Sequence, residues 1–333
     1  DRWLLLVLLA AQFATVAQVV EFWFQVRFKA ARLVPWRTGA ALAAALLKMA
    51  TALATHDARW VALVFALEFL LSGAAAWLAF RRASGTGHVL APSTAAAPAA
   101  GAAAVPTSDW MRWYTRRSPW LLASGIAEVI YLRIDIVLLE RLRGVHEAGI
   151  YAVAARLSEV WYMVPVALMG AAFPALWARR ADAAAYQRSL QSSLDLLFAL
   201  AFSLAVLVQL FGRPLVEWLF GARFGASVVV LQVHIWAGLF VFMRALLSRW
   251  LLAEDLLRFS LLTHLCGAAV NVGLNLLLIP RYGATGAAVT TVISYAGAGW
   301  FSLCLSPRTR PMGRMMGRAL LLPLRWADLA AYA

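Results

Sequence analysis

The chain has 333 residues, 63% of them hydrophobic, a mean hydropathy of +0.75 and a formal net charge of +14. That composition excludes an ordinary soluble domain and points to a polytopic membrane protein. The basic excess does not signal nucleic acid, because the only lysines are Lys29 and Lys48 and the arginines cluster between apolar runs, with no basic groove or nucleic-acid module.

Apolar runs of spanning length occupy about 3–25, 38–55, 60–80, 116–139, 148–178, 190–212, 226–252, 257–279 and 284–305. A bilayer crossing takes about 20 predominantly apolar residues, so these runs predict nine transmembrane helices. Their connections alternate in charge. The first holds Arg27, Lys29, Arg32 and Arg37, the third Arg81, Arg82, Arg112, Arg116 and Arg117, and the fifth Arg179, Arg180 and Arg188. The second holds only Arg59 and the fourth Arg141 and Arg143, while the seventh, Arg249 and Arg258 beside Glu254 and Asp255, is nearly neutral. The tail carries Arg308, Arg310, Arg314, Arg318 and Arg325. Since cytoplasmic loops carry the Lys/Arg excess, the first helix is expected to start outside and the C-terminus to be cytoplasmic. The chain opens at Asp1 almost inside a spanning run, and an odd number of helices is expected to precede it; three would give twelve, in two sets of six.

Residues 83–109, ASGTGHVLAPSTAAAPAAGAAAVPTSD, form a low-complexity Ala/Pro/Gly/Ser stretch. The predicted organisation is a partial N-terminal lobe over 1–82, a cytoplasmic linker over 83–115, a six-helix lobe over 116–306 and a basic cytoplasmic tail over 307–333.

Several polar groups interrupt the spans, and a charge at membrane depth normally faces a partner or a wet cavity. Gln18, Glu21 and Gln25 share one stripe of the first helix. Lys48 lies mid-span in the second, too deep to snorkel, with Thr51 and Thr55 on its face. In the fourth, Ser124, Glu128, Tyr131 and Asp135 follow helical spacing along one stripe, and Arg133 sits off it. Those carboxylates are expected either to face an aqueous cavity, holding a coupling cation or balancing an arginine, or to form packing pairs such as Asp135 with Arg156. The fifth helix carries Tyr151, Arg156, Glu159 and Tyr162, with Pro165 and Pro174 positioned to kink it. Arg156 either recognises phosphate through its planar guanidinium or pairs with Glu159 within the helix. Arg244 and Arg249 are expected to snorkel to headgroups. His264, Asn271 and Asn275 share a face as interhelical packing groups. Pro280, Gly283 and Gly286 mark a tight return. Cys266 and Cys304, lacking a CxxC or His-spaced partner, read as small buried hydrophobes. The sequence shows no nucleotide loop, metal cluster or nucleophile elbow, so a transport step would draw on an ion gradient or the substrate's own gradient.

SPWLLASGIAEVIYLRIDIVLL followed by AGIYAVAARLSEVWYMVPVALMGAAFPAL is similar to the start of the C-terminal lobe of the oligosaccharide flippases, the Wzx-like polysaccharide biosynthesis branch of the MOP/MATE superfamily. Gly267 to Tyr295, GAAVNVGLNLLLIPRYGATGAAVTTVISY, resembles the last two helices of that family, and VVEFWFQVRFKAARLV its fourth. The resemblance implies an all-α, MOP/MATE-like two-lobe helix bundle, with about nine transmembrane helices present of an expected twelve, around a V-shaped cavity that opens alternately to each membrane face. It further implies translocation of undecaprenyl-diphosphate-linked oligosaccharide across the bacterial inner membrane, coupled to a cation such as H+ or Na+, with no cofactor. Membrane lipids are the other expected partners and the protein is expected to be monomeric.

On that reading Lys48, Arg133 and Arg156 are candidate diphosphate or sugar contacts, and Asp135, Glu128 and Glu159 candidate coupling or gating carboxylates. Gln18, Glu21, Gln25, Tyr131, Tyr151, Tyr162, Asn271 and Asn275 supply cavity polarity. The alternatives are a MATE-type drug/cation antiporter, which favours an acidic aromatic cavity, and a membrane-embedded polysaccharide polymerase or ligase, which calls for a large outer loop.

Overall fold

A computed structural model describes residues 2–11, 33–84 and 107–325, all of them helix or short connection. The chain divides into two compact units, Asp1–Ala104 and Val105–Ala333.

The first unit contains α1 (Arg2–Ala11), α2 (Val34–Thr55) and α3 (Ala58–Ser84). Pro35 opens α2, where its missing N–H costs nothing, and His56 ends it in the left-handed region at φ 51°. Asp57 then restarts the chain, its carboxylate accepting from the Arg59 amide at 2.9 Å. Small side chains bring α2 and α3 together: Ala44, Ala76 and Ala79 are buried, with Leu33, Trp36 and Phe80 packed around the last two.

The second unit begins with α4 (Thr107–Arg143), which starts within the stretch expected to be linker. Gly144, at φ 89°, ends it and turns into α5 (Val145–Glu159). A 3-10 turn, Val160–Tyr162, joins α5 to α6 (Met163–Ala178). Pro165 accounts for that turn, since it has no N–H to give and its ring crowds the carbonyl four residues back. Asp182 caps α7 (Ala183–Phe220), accepting from the Ala184 and Ala185 amides at 3.0 Å. Gly221, at φ 85°, ends it. There follow α8 (Ala226–His234), α9 (Gly238–Ala253) and α10 (Leu257–Ala296). Past a π-helical turn, Gly297–Phe301, come α11 (Ser302–Leu305) and α12 (Arg310–Leu320).

α10 is two antiparallel arms. Asn271 and Ser294 are 23 residues apart, about 35 Å on a straight helix, yet the Asn271 amide donates to the Ser294 hydroxyl at 3.3 Å. The reversal is at Gly283, at φ 53° and ψ −135°. Glu147 of α5 closes it, accepting from the Ala284 amide at 2.8 Å, and a Cβ on Gly283 would lie 2.4 Å from that carboxylate. The return predicted from Pro280, Gly283 and Gly286 is therefore built, and α5 locks it. Gly283→Ala is expected to lower stability by about 1–3 kcal/mol, the scale of a forced left-handed side chain, read as a drop in Tm; an unchanged Tm would show the hinge relaxes.

Six helical segments among the described residues are long and apolar enough to cross a membrane: 34–55, 59–82, 145–181, 183–220, 226–253 and 257–305. Three features separate these from the nine predicted runs. Only α1 is described of the first run. Charges dilute the apolar character of α4, and the two arms of α10 merge into one segment with the helix that follows. Cys266 and Cys304, expected to be buried, are both exposed, on apolar helix faces turned away from the packed interior.

Candidate functional site

The polar groups of the second unit collect into two clusters, two turns apart on α4. The deeper one surrounds Asp135, which is 1% exposed. Its Oδ2 accepts from the Tyr151 hydroxyl of α5 at 2.9 Å and from the Thr291 hydroxyl of the second α10 arm at 2.8 Å. Its Oδ1 accepts from the Asn275 amide of the first arm at 2.5 Å, and Asn275 also donates to Asn271 Oδ1 at 2.9 Å. Asp135 thus ties α4, α5 and both arms of α10 together. Among the described residues no cation lies within ion-pair distance of it, so neither Arg156 nor any other arginine neutralises it.

The hydrogens around this carboxylate can be counted. Tyr151 and Thr291 have one hydroxyl proton each; Tyr151 also reaches Thr291 Oγ1 at 3.1 Å, and Thr291 reaches the Ala287 carbonyl at 2.9 Å. With Asp135 ionised, both hydroxyls point at it. With Asp135 protonated, the protons run from Asp135 to Tyr151, from Tyr151 to Thr291 and from Thr291 to the Ala287 carbonyl, and no donor is stranded. The site accommodates either charge state by rotating hydroxyls alone. It also offers oxygen ligands of the kind hard cations take: the two Asp135 oxygens, Asn271 Oδ1, Thr291 Oγ1, the Ala287 carbonyl, and Asn275 Oδ1, which is buried without a partner.

The second cluster opens on a cavity of about 290 Å³ lined by Glu128, Tyr162, Arg244, Ser248, Arg249 and Tyr295 among apolar groups from α4, α6 and α9. Arg244 is gripped by α10 and the π-helical turn after it, donating to Thr263 Oγ1 at 3.2 Å, to His264 Nε2 at 2.5 Å and to the Ala298 carbonyl at 3.3 Å. A guanidinium only donates, so His264 accepts on Nε2 and carries its proton on Nδ1, where it meets Ser124 Oγ at 2.8 Å. Arg249 donates to the Ala245 carbonyl at 2.9 Å and the Val166 carbonyl at 3.0 Å, bridging α9 to α6.

The sequence-predicted residues distribute as follows. Asp135, Tyr151, Asn271 and Asn275 meet in the buried cluster, so these groups serve each other and do not line open space. Glu128, 47% exposed at its side chain, and Tyr162 border the cavity. Arg133, off the stripe as expected and 51% exposed, pairs with Glu159 at 3.1 Å. That pair takes the place of the Arg156 to Glu159 pair, and Arg156 is exposed. In the first unit Lys48 is paired with Glu68 at 2.8 Å and stacks over the Phe65 ring at 4.1 Å, so its charge is met within its own helix pair. Gln18, Glu21 and Gln25 lie outside the described residues, as does the side chain of Tyr131.

Arg244 and Arg249 correct the expectation of snorkelling: both are fixed to backbone carbonyls inside the second unit. Glu68 and Thr291 are the groups that sequence reasoning overlooked, and Arg244 and Arg249 were seen but assigned to the headgroups. The signal for Arg244 was its place in the middle of an apolar run, shared with His264 on the next helix.

The comparisons bear on what such a bundle does. A family profile described as a polysaccharide biosynthesis protein matches residues 107–229, which run from α4 into α8 and take in Asp135, Tyr151 and Glu128. Among curated proteins none matches the sequence. A solved structure titled lipid II flippase MurJ, inward closed conformation, superposes with a TM-score of 0.63 at 13% identity, over 96% of this chain and 66% of that one. At that identity the likeness shows the fold alone: an all-α polytopic membrane protein whose helix bundle resembles that of the MurJ structure. The chain spans just under two thirds of the MurJ structure's length.

Proposed function

We propose that this chain is the transporting core of a flippase that moves a polyprenyl-diphosphate-linked oligosaccharide across the bacterial inner membrane by alternating access, coupled to H+ or Na+ at Asp135. The observation that carries the reading is the cavity holding Arg244, Arg249 and Glu128 beside two tyrosines within apolar helices. Guanidinium groups at membrane depth match a diphosphate, and tyrosines with a carboxylate match sugar hydroxyls. The prenyl tail needs no protein cavity, because lipid solvates it.

Asp135 supplies the single negative charge for a monovalent cation. Turning the Asn275 amide by half a rotation exchanges its donor for its unpartnered oxygen, so one residue serves the empty carboxylate and the ion in turn. Arg133, Arg156 and Glu159 form a second charged group on α4 and α5 that we assign to substrate contact or gating. Lys48 with Glu68 we assign to gating, since each already holds the other. On this reading the arginine-rich first, third and fifth connections and the C-terminus lie in the cytoplasm, and the protein works as a monomer.

In cells that depend on this protein for surface polysaccharide, its removal is expected to leave lipid-linked glycan on the inner leaflet and to halt export. If purified protein in vesicles moved cationic dyes against a proton gradient and left a lipid-linked glycan unmoved, the drug/cation antiporter reading would replace this one.

A further inference from the structure

The helix α12 contributes no residue to either polar cluster described above. Its sequence, RPMGRMMGRAL, is divided sharply between two faces. Met312, Met316 and Ala319 are fully buried against α7, α9 and α11. Gly313 and Gly317 lie one turn apart, where the helix crosses Leu303 and Trp300: a Cβ on Gly313 would be 3.2 Å from Leu303, and one on Gly317 would be 3.4 Å from the Trp300 ring nitrogen. The Trp300 indole donates to the Gly313 carbonyl at 3.1 Å, and Gln191 of α7 donates to the Met315 carbonyl at 3.2 Å. The helix is therefore seated firmly on the bundle.

Its outer face carries Arg310, Arg314 and Arg318, all exposed and about 40° apart in turn around the axis. No acidic residue occurs between Asp255 and Asp328, and among the described residues none of Arg308, Arg310, Arg314 and Arg318 forms an ion pair. Just beyond the helix Leu321 and Leu324 are 53% and 82% exposed. The same end of the unit bears arginines stacked on tryptophans, Arg258 over Trp120 at 4.9 Å and Arg180 over Trp177 at 4.6 Å, and Trp120 shares a hollow with Asp255, Arg308 and Thr309, next to the start of α12. Tryptophan and arginine together mark the headgroup level of a bilayer.

We infer that α12 is an interfacial helix that holds anionic lipid headgroups on its arginine face, with Leu321 and Leu324 dipping into the acyl region beside it. The row Arg310, Arg314 and Arg318, in no ion pair among the described residues, has its complement in anionic lipid phosphate. This inference rests on membrane insertion alone and stands whatever the transported substrate is.

The test is native mass spectrometry of the whole protein released from mixed phosphatidylglycerol and phosphatidylcholine bilayers, at low and high salt. The wild type is expected to retain phosphatidylglycerol about tenfold over phosphatidylcholine at low salt, with salt eroding the preference. Arg310→Gln, Arg314→Gln and Arg318→Gln together are expected to bring the two lipids within about twofold. The matching triple lysine variant, which keeps the charge, is expected to keep the preference. Equal retention of both lipids by the wild type, or an unchanged preference in the glutamine variant, overturns the inference. So does a loss in the lysine variant as complete as in the glutamine variant. Displacement of phosphatidylglycerol by millimolar inorganic phosphate, or by a soluble polyglutamate peptide, would also overturn it, by making the face a site for small anions or acidic protein.

Discussion

Asp135→Ala is expected to cost about 2–4 kcal/mol of stability, and Asp135→Asn less than about 1 kcal/mol, although both remove the same charge. The difference follows from the hydrogen count. Alanine opens a void where four helical segments meet and leaves one hydrogen of the Asn275 amide with no acceptor, since only the other reaches Asn271. Tyr151 and Thr291 fall back on each other and on the Ala287 carbonyl. Asparagine refills the void and reproduces the protonated acid: its oxygen accepts from Asn275 and its amide donates to Tyr151 and Thr291, which release their own protons along the chain to Ala287. The folded protein survives, but the one negative charge of the ligand set is gone. Cation-dependent transport is accordingly expected to fall to background in Asp135→Asn. Any rise in wild-type Tm when sodium replaces choline is expected to vanish with it, because a ligand stabilises only a state that binds it. Asp135→Asn with intact cation-driven transport would remove Asp135 from the coupling step.

Hydropathy alone revealed most of the helices, because a bilayer demands long apolar runs, and the helical period placed Ser124, Glu128 and Asp135 on one side of α4. The spacing did not show which of them is buried. Glu128 and Asp135 share a stripe, yet one borders a cavity and the other is sealed, because Asn275 and Thr291 from the two arms of α10 meet over Asp135. Pairing across helices was equally hidden. Lys48 and Glu68 sit on separate helices, and nothing within a single period links them. Arg133 lies off the Asp135 stripe, but its partner Glu159 was not legible, because the i,i+3 spacing that makes Arg156 one candidate partner is visible in a sequence and a contact between α4 and α5 is not. For α12, the Arg repeat was plain as tail charge. The Gly313 and Gly317 approach to Trp300 needed the fold.

Arg244→Ala is expected to lower the rate of glycan translocation by about 100-fold or more, since charge-assisted hydrogen bonds to a phosphate contribute about 1.5–3 kcal/mol each and a guanidinium can make two. Arg244→Lys is expected to recover only part of that rate, because an ammonium keeps the charge and loses the fork. The position of Arg244 extends its effect beyond charge. It is held by Thr263 and His264 on the first arm of α10 and by the Ala298 carbonyl just past the second. Those arms also carry Asn271, Asn275 and Thr291 to Asp135. Along α4, Glu128 and Asp135 are seven residues apart, about 10 Å of helix. Any rearrangement of α10 that admits a cation at Asp135 must therefore shift the residues that grip Arg244 and reshape the cavity next to Glu128. On the proposed reading, this shared element is the link by which an ion gradient would act on a bound headgroup. Arg244→Ala separates two accounts of that link. If Arg244 contacts substrate, the variant keeps the sodium-dependent Tm rise while losing translocation. If Arg244 only holds α10 in place, the ion response and translocation fall together, and lysine restores neither.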